Sequence, residues 1–415
     1  MNSVETQIKN CRICGDSALS LLLNLGSLSL TGVFLNPGEK DLKAELALAK
    51  CTNCNLVQLM HSYPSNLLYG SSYGYESHLN TSMVKHLDAK AKILQRKYLK
   101  KENAVVVDIA SNDGTLLSAY SGEKFTLIGI DPLMNVVSDR YPKSALKIND
   151  FFSAKTYWDK NSLPADLVTS LSVIYDLENP LDFAKDVWQI LSDGGIWHLE
   201  QSYLPSMVES TSYDTICHEH LLYLSLHDLK FLLEESGFSL IDATLNSING
   251  GSIAITAKKT SVQINPDPNI EFMLNREIEM GLTNGKMMDE FVKNSFVHKK
   301  NLFDLISTYK SAGFEIFGLG ASTKGNVLLQ WAGLDSTIVK AIGEINPKKF
   351  NKVTPGTKIP IVAEKQVLDL DSDSKRLSLV LPWHFKPVIV ERAETYLSNG
   401  GKLLFPLPAI EVVGN

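Results

Sequence analysis

Four of the five cysteines fall in two pairs, Cys11-Arg-Ile-Cys14 and Cys51-Thr-Asn-Cys54, separated by 36 residues. Each pair puts two thiolates on one tight turn, and two such turns complete the tetrahedral shell of a structural zinc ion. Four cysteines leave no open position on the metal, so the expected role is folding rather than catalysis. Two disulfides or four unrelated buried thiols are the alternatives, and five cysteines in 415 residues are too few for a disulfide scaffold. A second cluster is Cys217-His-Glu-His-Leu-Leu-Tyr223, which gathers two of the nine histidines around a glutamate. An imidazole oriented by a carboxylate is a competent general base near neutral pH, which casts His220 and Glu219 in that role. A pair of satisfied polar residues in a turn is the alternative; zinc ligation by His218 and His220 lacks a third ligand at motif spacing.

The segment Asp108-Ile-Ala-Ser-Asn-Asp-Gly114 ends a short β-branched run, and Asp131 follows 23 residues after Asp108. A turn of small residues outside the carboxyl end of a strand is where an open α/β sheet binds an adenosine cofactor, and an acid at that distance can accept both ribose hydroxyls. Asp108, Ala110, Ser111, Asn112, Gly114 and Asp131 are therefore candidate cofactor residues. The turn lacks GxGxxG, which a pyrophosphate wants, so S-adenosylmethionine is favoured over a dinucleotide. Asn149-Asp-Phe-Phe152 follows the next strand, where Asp150 can bind the adenine amino group and Phe151 can pack on the ring. The alternative there is a turn residue beside two core aromatics. Further along, Gly318-Leu-Gly-Ala-Ser-Thr-Lys324-Gly opens a helix whose backbone donors, with Lys324, can cradle a diphosphate. Lys348, Lys349 and His384 lie at other strand ends that can face the same cleft, although solvated lysines are the commoner fate.

These residues need elements to hold them. The two CxxC pairs lie in a stretch of Gly, Ser and Leu turns, expected as a zinc-binding domain over 1–68. The aromatic connector Tyr69–Ser77 leads to a helical pattern over 83–101. Strands follow at 104–109 and 126–130, then at about 166–171, 195–200 and 251–257, with helices near 181–192 and 227–236. That alternation predicts a doubly wound α/β domain over 69–265. From 266 a helical bridge, broken at Gly281 and Gly285, leads to a second α/β pattern that runs to 415. Its strands are read at 314–318, 337–343, 377–381 and 402–405.

Composition narrows the class. With 44% apolar and 21% charged residues the chain is an ordinary globular protein. A net charge of −6 without a long basic run argues against a nucleic-acid partner. The richest apolar stretch, Leu21–Leu35, is broken by Asn24, Gly26, Ser27, Ser29 and Gly32, so no membrane span is expected. The first residues, MNSVETQIKNC, carry no secretory pattern, and a cytoplasmic setting is expected.

Taken in order, the CxxC pairs, DIASNDGTLL, HEHxxYxS, Gly250-Gly-Ser252, Asn346-Pro-Lys-Lys and Pro355-Gly-Thr-Lys-Ile-Pro360 resemble the three-domain sugar C-methyltransferases, the family that includes the tetronitrose C-3′-methyltransferase. The resemblance covers nearly the whole chain. It implies an N-terminal zinc-binding domain, a central class I methyltransferase domain of Rossmann-like fold and a C-terminal Rossmann-like domain. Cofactors would be S-adenosylmethionine and structural zinc, and the partner a nucleotide-linked keto-deoxy sugar. His220 would be the base that makes an enolate and Glu219 its partner. Tyr69 or Tyr75 would lean over the sugar, with Tyr75 counted among the catalytic groups, and Tyr223 would line or support the site. Tyr175, Cys217, Lys324, Lys348 and His384 complete the expected substrate contacts. The chain departs from the family at three places: Cys217 stands where a tyrosine precedes HEH, Ser172-Val-Ile-Tyr175-Asp replaces an Asn-Val-x-x-His run, and Asn249 replaces a histidine. Methylation at a sugar oxygen or nitrogen, or sugar-nucleotide binding without transfer, therefore stays open as an alternative. The oligomeric state is not set by the sequence, and a monomer is compatible with it.

Overall fold

The computed structural model describes residues 4–69, 75–120, 124–262, 267–370 and 375–414. The N-terminal segment is not the run of turns its Gly and Ser content predicts. Strands Leu19–Ser29, Lys43–Cys51, Val57–Leu59 and Leu222–Tyr223 form a four-stranded antiparallel sheet. Leu23, Leu25 and Leu28 face its core while Asn24 and Ser27 face out, and Gly26 (φ +87°) sits in the register shift that separates Asn24 from Ser27. The apolar Leu21–Leu35 stretch is thus a half-buried strand with a bulge as far as Ser29 and a loop beyond it.

The central sheet has seven strands in the order Phe238–Asn246, Ser252–Lys259, Leu191–Ser202, Ala165–Leu171, Ala104–Ile109, Phe125–Ile130 and Leu146–Ile148. All pairings are parallel except those of Ser252–Lys259, which runs antiparallel to both neighbours. Ala104–Ile109 is fully buried, as its Ala-Val-Val-Val-Asp-Ile sequence demands of an interior parallel strand. It lies where the strand order reverses, and there an open sheet leaves a crevice outside the strands' carboxyl ends. The edge strand Phe238–Asn246 escapes a reading by period because Asp242 and Thr244 interrupt its apolar face. Helix Thr81–Tyr98 starts at Asn80, whose side chain accepts from the amides of Ser82 and Met83, and helix Leu226–Glu235 opens with a Ser225–Asp228 capping box.

Helices Pro268–Glu279 and Lys286–Ser311 form the bridge, separated at Gly281 and Gly285, both at positive φ. The last sheet orders Ile361–Ala363, Val339–Glu344, Glu315–Leu319, Arg376–Val380, Lys402–Phe405 and Glu411–Val413, parallel but for the final pair. Main chain ties the parts together: Tyr223 pairs with Val57, and Leu35 exchanges two hydrogen bonds with Val353. No helix among the described residues is long and apolar enough to cross a membrane.

Candidate active site and metal centre

The four cysteine sulfurs, Cys11, Cys14, Cys51 and Cys54, lie within 4.8 Å of one another. Cys11–Cys54 and Cys14–Cys51 are each 3.6 Å apart, close to the roughly 3.8 Å edge of a tetrahedron with Zn–S bonds of about 2.3 Å. Gly15 (φ +74°) and Asn55 (φ +70°) close the two knuckles, donating to the carbonyls of Cys11 and Cys51. The donor set fits zinc. Buried Arg12 carries the first knuckle toward the central domain: it donates to the Leu59 and His61 carbonyls and to Glu178 Oε2.

The Asp108–Gly114 turn is shaped by three residues at positive φ, Ala110, Asn112 and Gly114. Asp131 Oδ2 accepts from Asn112 N at 2.8 Å and Oδ1 from Leu133 N at 2.6 Å, which leaves each oxygen a lone pair for a ribose hydroxyl. Asp108 is buried, its carboxyl pushed up to about 7 by burial although Thr169 donates to it at 2.6 Å. The structure adds Tyr141, which no motif announced. Its hydroxyl is 2.8 Å from both Ser111 Oγ and the Asn112 carbonyl, and a Cβ at Gly114 or Gly129 would meet its ring at 2.6 or 2.5 Å. Both glycines are therefore needed for the turn to seat on that ring. Asp150 and Phe151 are exposed at the neighbouring strand end; Phe152 alone of the two aromatics packs inward, against Phe183. Phe151 is thus a free ring beside the crevice rather than a core residue.

Next to this crevice lies a cavity of about 310 Å³ walled by all three parts of the chain. Gly32 and Phe34 come from the loop between strands Leu19–Ser29 and Lys43–Cys51, and Tyr69 and Tyr75 from the connector. Tyr175, Asp176, Glu219 and His220 come from the central domain, and Thr323, Lys324, Lys349 and His384 from the C-terminal one. His220 Nδ1 lies 3.0 Å from the Thr215 carbonyl, which can only accept, so Nδ1 carries the proton and Nε2 keeps a free lone pair. The ring stacks at a tilt on Tyr175, 4.4 Å between centroids. Burial, then the charge of Lys324, pulls its pKa down to about 3, so the imidazole rests neutral. Glu219 accepts from Thr31 Oγ1 at 3.3 Å, and burial pushes its carboxyl up. Asp176, missed by sequence, also lines the cavity, its carboxyl raised well above the ordinary range by burial. Burial holds His384 neutral as well, at about 3.

Three expected contacts lie elsewhere. Cys217 is fully buried behind the cavity, where burial keeps its thiol protonated. Tyr223 is locked into the strand that pairs with Val57, its ring in the core. Lys348 turns out to Glu76, while its neighbour Lys349 reaches the cavity, over the Phe34 ring and bonded to the Ala321 carbonyl. His218 faces away from the cavity: its Nδ1 is 3.2 Å from Thr31 Oγ1, and Tyr63 packs edge-on against it. The connector is stitched to the Asp108–Gly114 turn, with Ser77 N donating to Asn112 and His78 bonded to Asp113 at 2.7 Å.

Three family models match consecutive parts of the chain: a zinc-binding domain over 11–69, a methyltransferase domain over 78–243 and a C-methyltransferase C-terminal domain over 247–408. The C-methyltransferase NovU of Streptomyces niveus is 26% identical over 420 residues, covering 100% of this chain and 99% of its own. Among solved structures, the 1,6-didemethyltoxoflavin-N1-methyltransferase of Burkholderia thailandensis aligns at 13% identity and a TM-score of 0.33, over 42% of this chain and 78% of its own. Magnesium protoporphyrin IX methyltransferase of Synechocystis PCC 6803 aligns at 13% and 0.33, over 43% and 88%. With four cysteines placed to hold zinc and zinc-binding, methyltransferase and C-methyltransferase C-terminal domains matched in order, the chain is an S-adenosylmethionine-dependent methyltransferase.

Proposed function

We propose that the cavity holds a nucleotide-linked keto-deoxy sugar and that the enzyme methylates it at a carbon next to the ketone. The observation that carries this reading is His220, with Nδ1 fixed on the Thr215 carbonyl and Nε2 free at the cavity wall. A proton beside a ketone is acidic because the anion delocalises onto oxygen, so a base held at that carbon makes an enolate. Bound S-adenosylmethionine supplies the electrophilic methyl group.

Each wall has a task in this reading. Asp131 and the Ala110–Gly114 backbone hold the ribose and methionine portions of the cofactor, and Asp150 with Phe151 holds adenine. Glu219 orients the reacting end from beside His220, and Tyr69, Tyr75 and Tyr175 flank the sugar ring. On the opposite wall the first turn of helix Thr323–Ala332, with Lys349 and His384, receives the nucleotide portion. The working units are then 1–68 for zinc, 69–265 for the cofactor and the base, and 266–415 for the nucleotide. A cytoplasmic setting fits this chemistry, because four thiols remain free to hold metal in a reducing compartment.

The test is mass spectrometry of a panel of 4-keto-6-deoxy nucleotide sugars incubated in deuterated water with protein and S-adenosylmethionine. A product heavier by one methyl, in sugar that has exchanged a carbon-bound hydrogen, is expected. A methyl without exchange would move the acceptor to oxygen or nitrogen, and no product from any sugar would remove the substrate class.

A further inference from the structure

Lys324 opens the helix Thr323–Ala332, yet its side chain turns into the cavity instead of out to solvent. Its Nζ donates to the Asn249 carbonyl at 2.9 Å, reaching across from the C-terminal domain to a central residue held at positive φ. Among the described residues no carboxylate lies within 4.0 Å of it, so this ammonium has one acceptor for three donors. The carboxylate that most influences its charge is Asp214, whose Oδ2 accepts from Trp383 Nε1 at 2.8 Å and which forms no ion pair with the lysine. The lysine charge is felt at both imidazoles of the cavity, His220 and His384, and burial pulls its own pKa down from the usual range.

Two uses of this ammonium compete, clamping a diphosphate or holding an oxygen of the sugar. The carboxyls that line the cavity around it, Glu219 and Asp176, are held toward the protonated form by burial, so this wall suits a neutral group, and a diphosphate entering it would have to shed its hydration. A neutral carbonyl carries no such cost on arrival. It becomes charged only as the reaction proceeds, and a desolvated cation stabilises charge that develops far better than charge that arrives already hydrated. His220 and Lys324 lie near enough to influence each other electrostatically, one a base with a free lone pair and the other an acid with free donors. That is the pair an enolisation needs.

We propose that Lys324 is a catalytic residue whose ammonium donates to the substrate's carbonyl oxygen and stabilises the enolate oxygen while His220 removes the neighbouring proton. This assignment rests on the enolate reading above. In the step the C–H bond breaks and its proton goes to His220 Nε2; the bonding pair becomes the new C=C bond. The carbonyl π pair moves onto oxygen, against Lys324. Nδ1 keeps its proton on Thr215 throughout, and the resulting imidazolium and enolate offset each other's charge. A base that rests near pKa 3 becomes competent because its conjugate acid forms beside that new anion.

The experiment uses the zinc-loaded enzyme with and without S-adenosylmethionine. It follows deuterium wash-in at the α-carbon of the same 4-keto-6-deoxy nucleotide sugars, and separately the affinity for thymidine diphosphate alone. In Lys324→Met, exchange and methyl transfer should fall together by about 10²–10³-fold. Thymidine diphosphate affinity and melting temperature should stay near wild type. Methylammonium added to Lys324→Ala should restore part of the exchange, which a merely structural role would not allow. Exchange at the wild-type rate in the variants, or thymidine diphosphate affinity that falls as far as turnover does, would overturn the assignment. Lys324→Gln, which keeps a polar side chain, serves should the methionine variant fail to fold. Failure of the enolate reading is visible separately: wild-type enzyme would then transfer a methyl, or nothing, with no exchange at carbon.

Discussion

Gly32 and Glu219 touch so closely that a Cβ on the glycine would fall 1.9 Å from the carboxyl Oε1. The glycine belongs to the N-terminal, zinc-bearing part of the chain and the glutamate to the Cys217–Tyr223 cluster, so the loop after strand Leu19–Ser29 forms one face of the cavity. Gly32→Ala should leave the fold intact, because Gly32 is not at positive φ and the atom in the way is the end of a flexible side chain. Glu219 must swing aside, and methyl transfer should fall on the order of tenfold, about 1.4 kcal/mol of barrier. Turnover measured beside the melting temperature decides it: unchanged turnover in a folded variant would separate Glu219 from the reaction.

His220→Asn should cost a factor on the order of 10² or more in methyl transfer, since the amide cannot take the proton. Because the imidazole rests at about 3, wild-type kcat/KM should show no loss attributable to this group as pH falls from 8 to 5. A steep fall near 6.5 that vanishes in the asparagine variant would contradict the position given to this ring.

Zinc removal should act at a distance from the metal. The knuckles anchor strand Lys43–Cys51, that strand pairs with Val57–Leu59, and Tyr223 of the central domain continues the sheet. Thr31, on the same part of the chain, holds both His218 and Glu219. Chelation or Cys51→Ser should lower the melting temperature and methyl transfer together, while S-adenosylmethionine affinity falls less than threefold, as coupled metal and folding equilibria require. Loss of turnover with melting unchanged would instead place the metal in the chemistry.

Local motifs were legible and long-range contacts were not. The knuckles, the Asp108–Gly114 turn and the Gly281 and Gly285 breaks each lie within a few residues, so spacing alone exposes them. The N-terminal sheet is hidden in the sequence because a glycine bulge and two outward polar residues imitate a chain of turns. Thr31 and Glu219 are 188 residues apart, and nothing in either neighbourhood marks the contact. Lys348 and Lys349 show the limit most simply. Adjacent lysines at one strand end are equivalent in sequence, and a single 3₁₀ turn over Pro347–Lys349 sends one to Glu76 and the other to the cavity.

Asp131 gives a prediction confined to the cofactor. Its two oxygens already hold the turn through Asn112 and Leu133, so replacement by alanine removes both the ribose acceptors and the support of the turn. Affinity for S-adenosylmethionine should weaken by roughly 10- to 100-fold, the range for a lost hydrogen bond to a charged group. Binding of thymidine diphosphate should be unaffected, and equal loss of both ligands by calorimetry would mean that the turn does not serve the cofactor alone.

Acid stability should be governed in part by a histidine that does no chemistry. His218 is fully buried between Thr31 and the Ala44 carbonyl, and burial pulls its pKa from 6.5 to about 4. Between those values the unfolded chain binds a proton the native chain does not, so stability rises with pH across that window and is lost as pH falls through it. Asp108 and Asp228 work the other way: burial raises both to about 7, so the native state holds protons that the unfolded one releases above 3.8. Comparing His218→Gln with wild type isolates the imidazole from these carboxyls. Between pH 6.5 and 5 the variant should be spared up to about 2 kcal/mol of the acid-induced loss, the equivalent of roughly one and a half pH units of linkage. Urea unfolding at the two pH values measures it, and parallel losses in the two proteins would show that His218 already accepts its proton in the folded state.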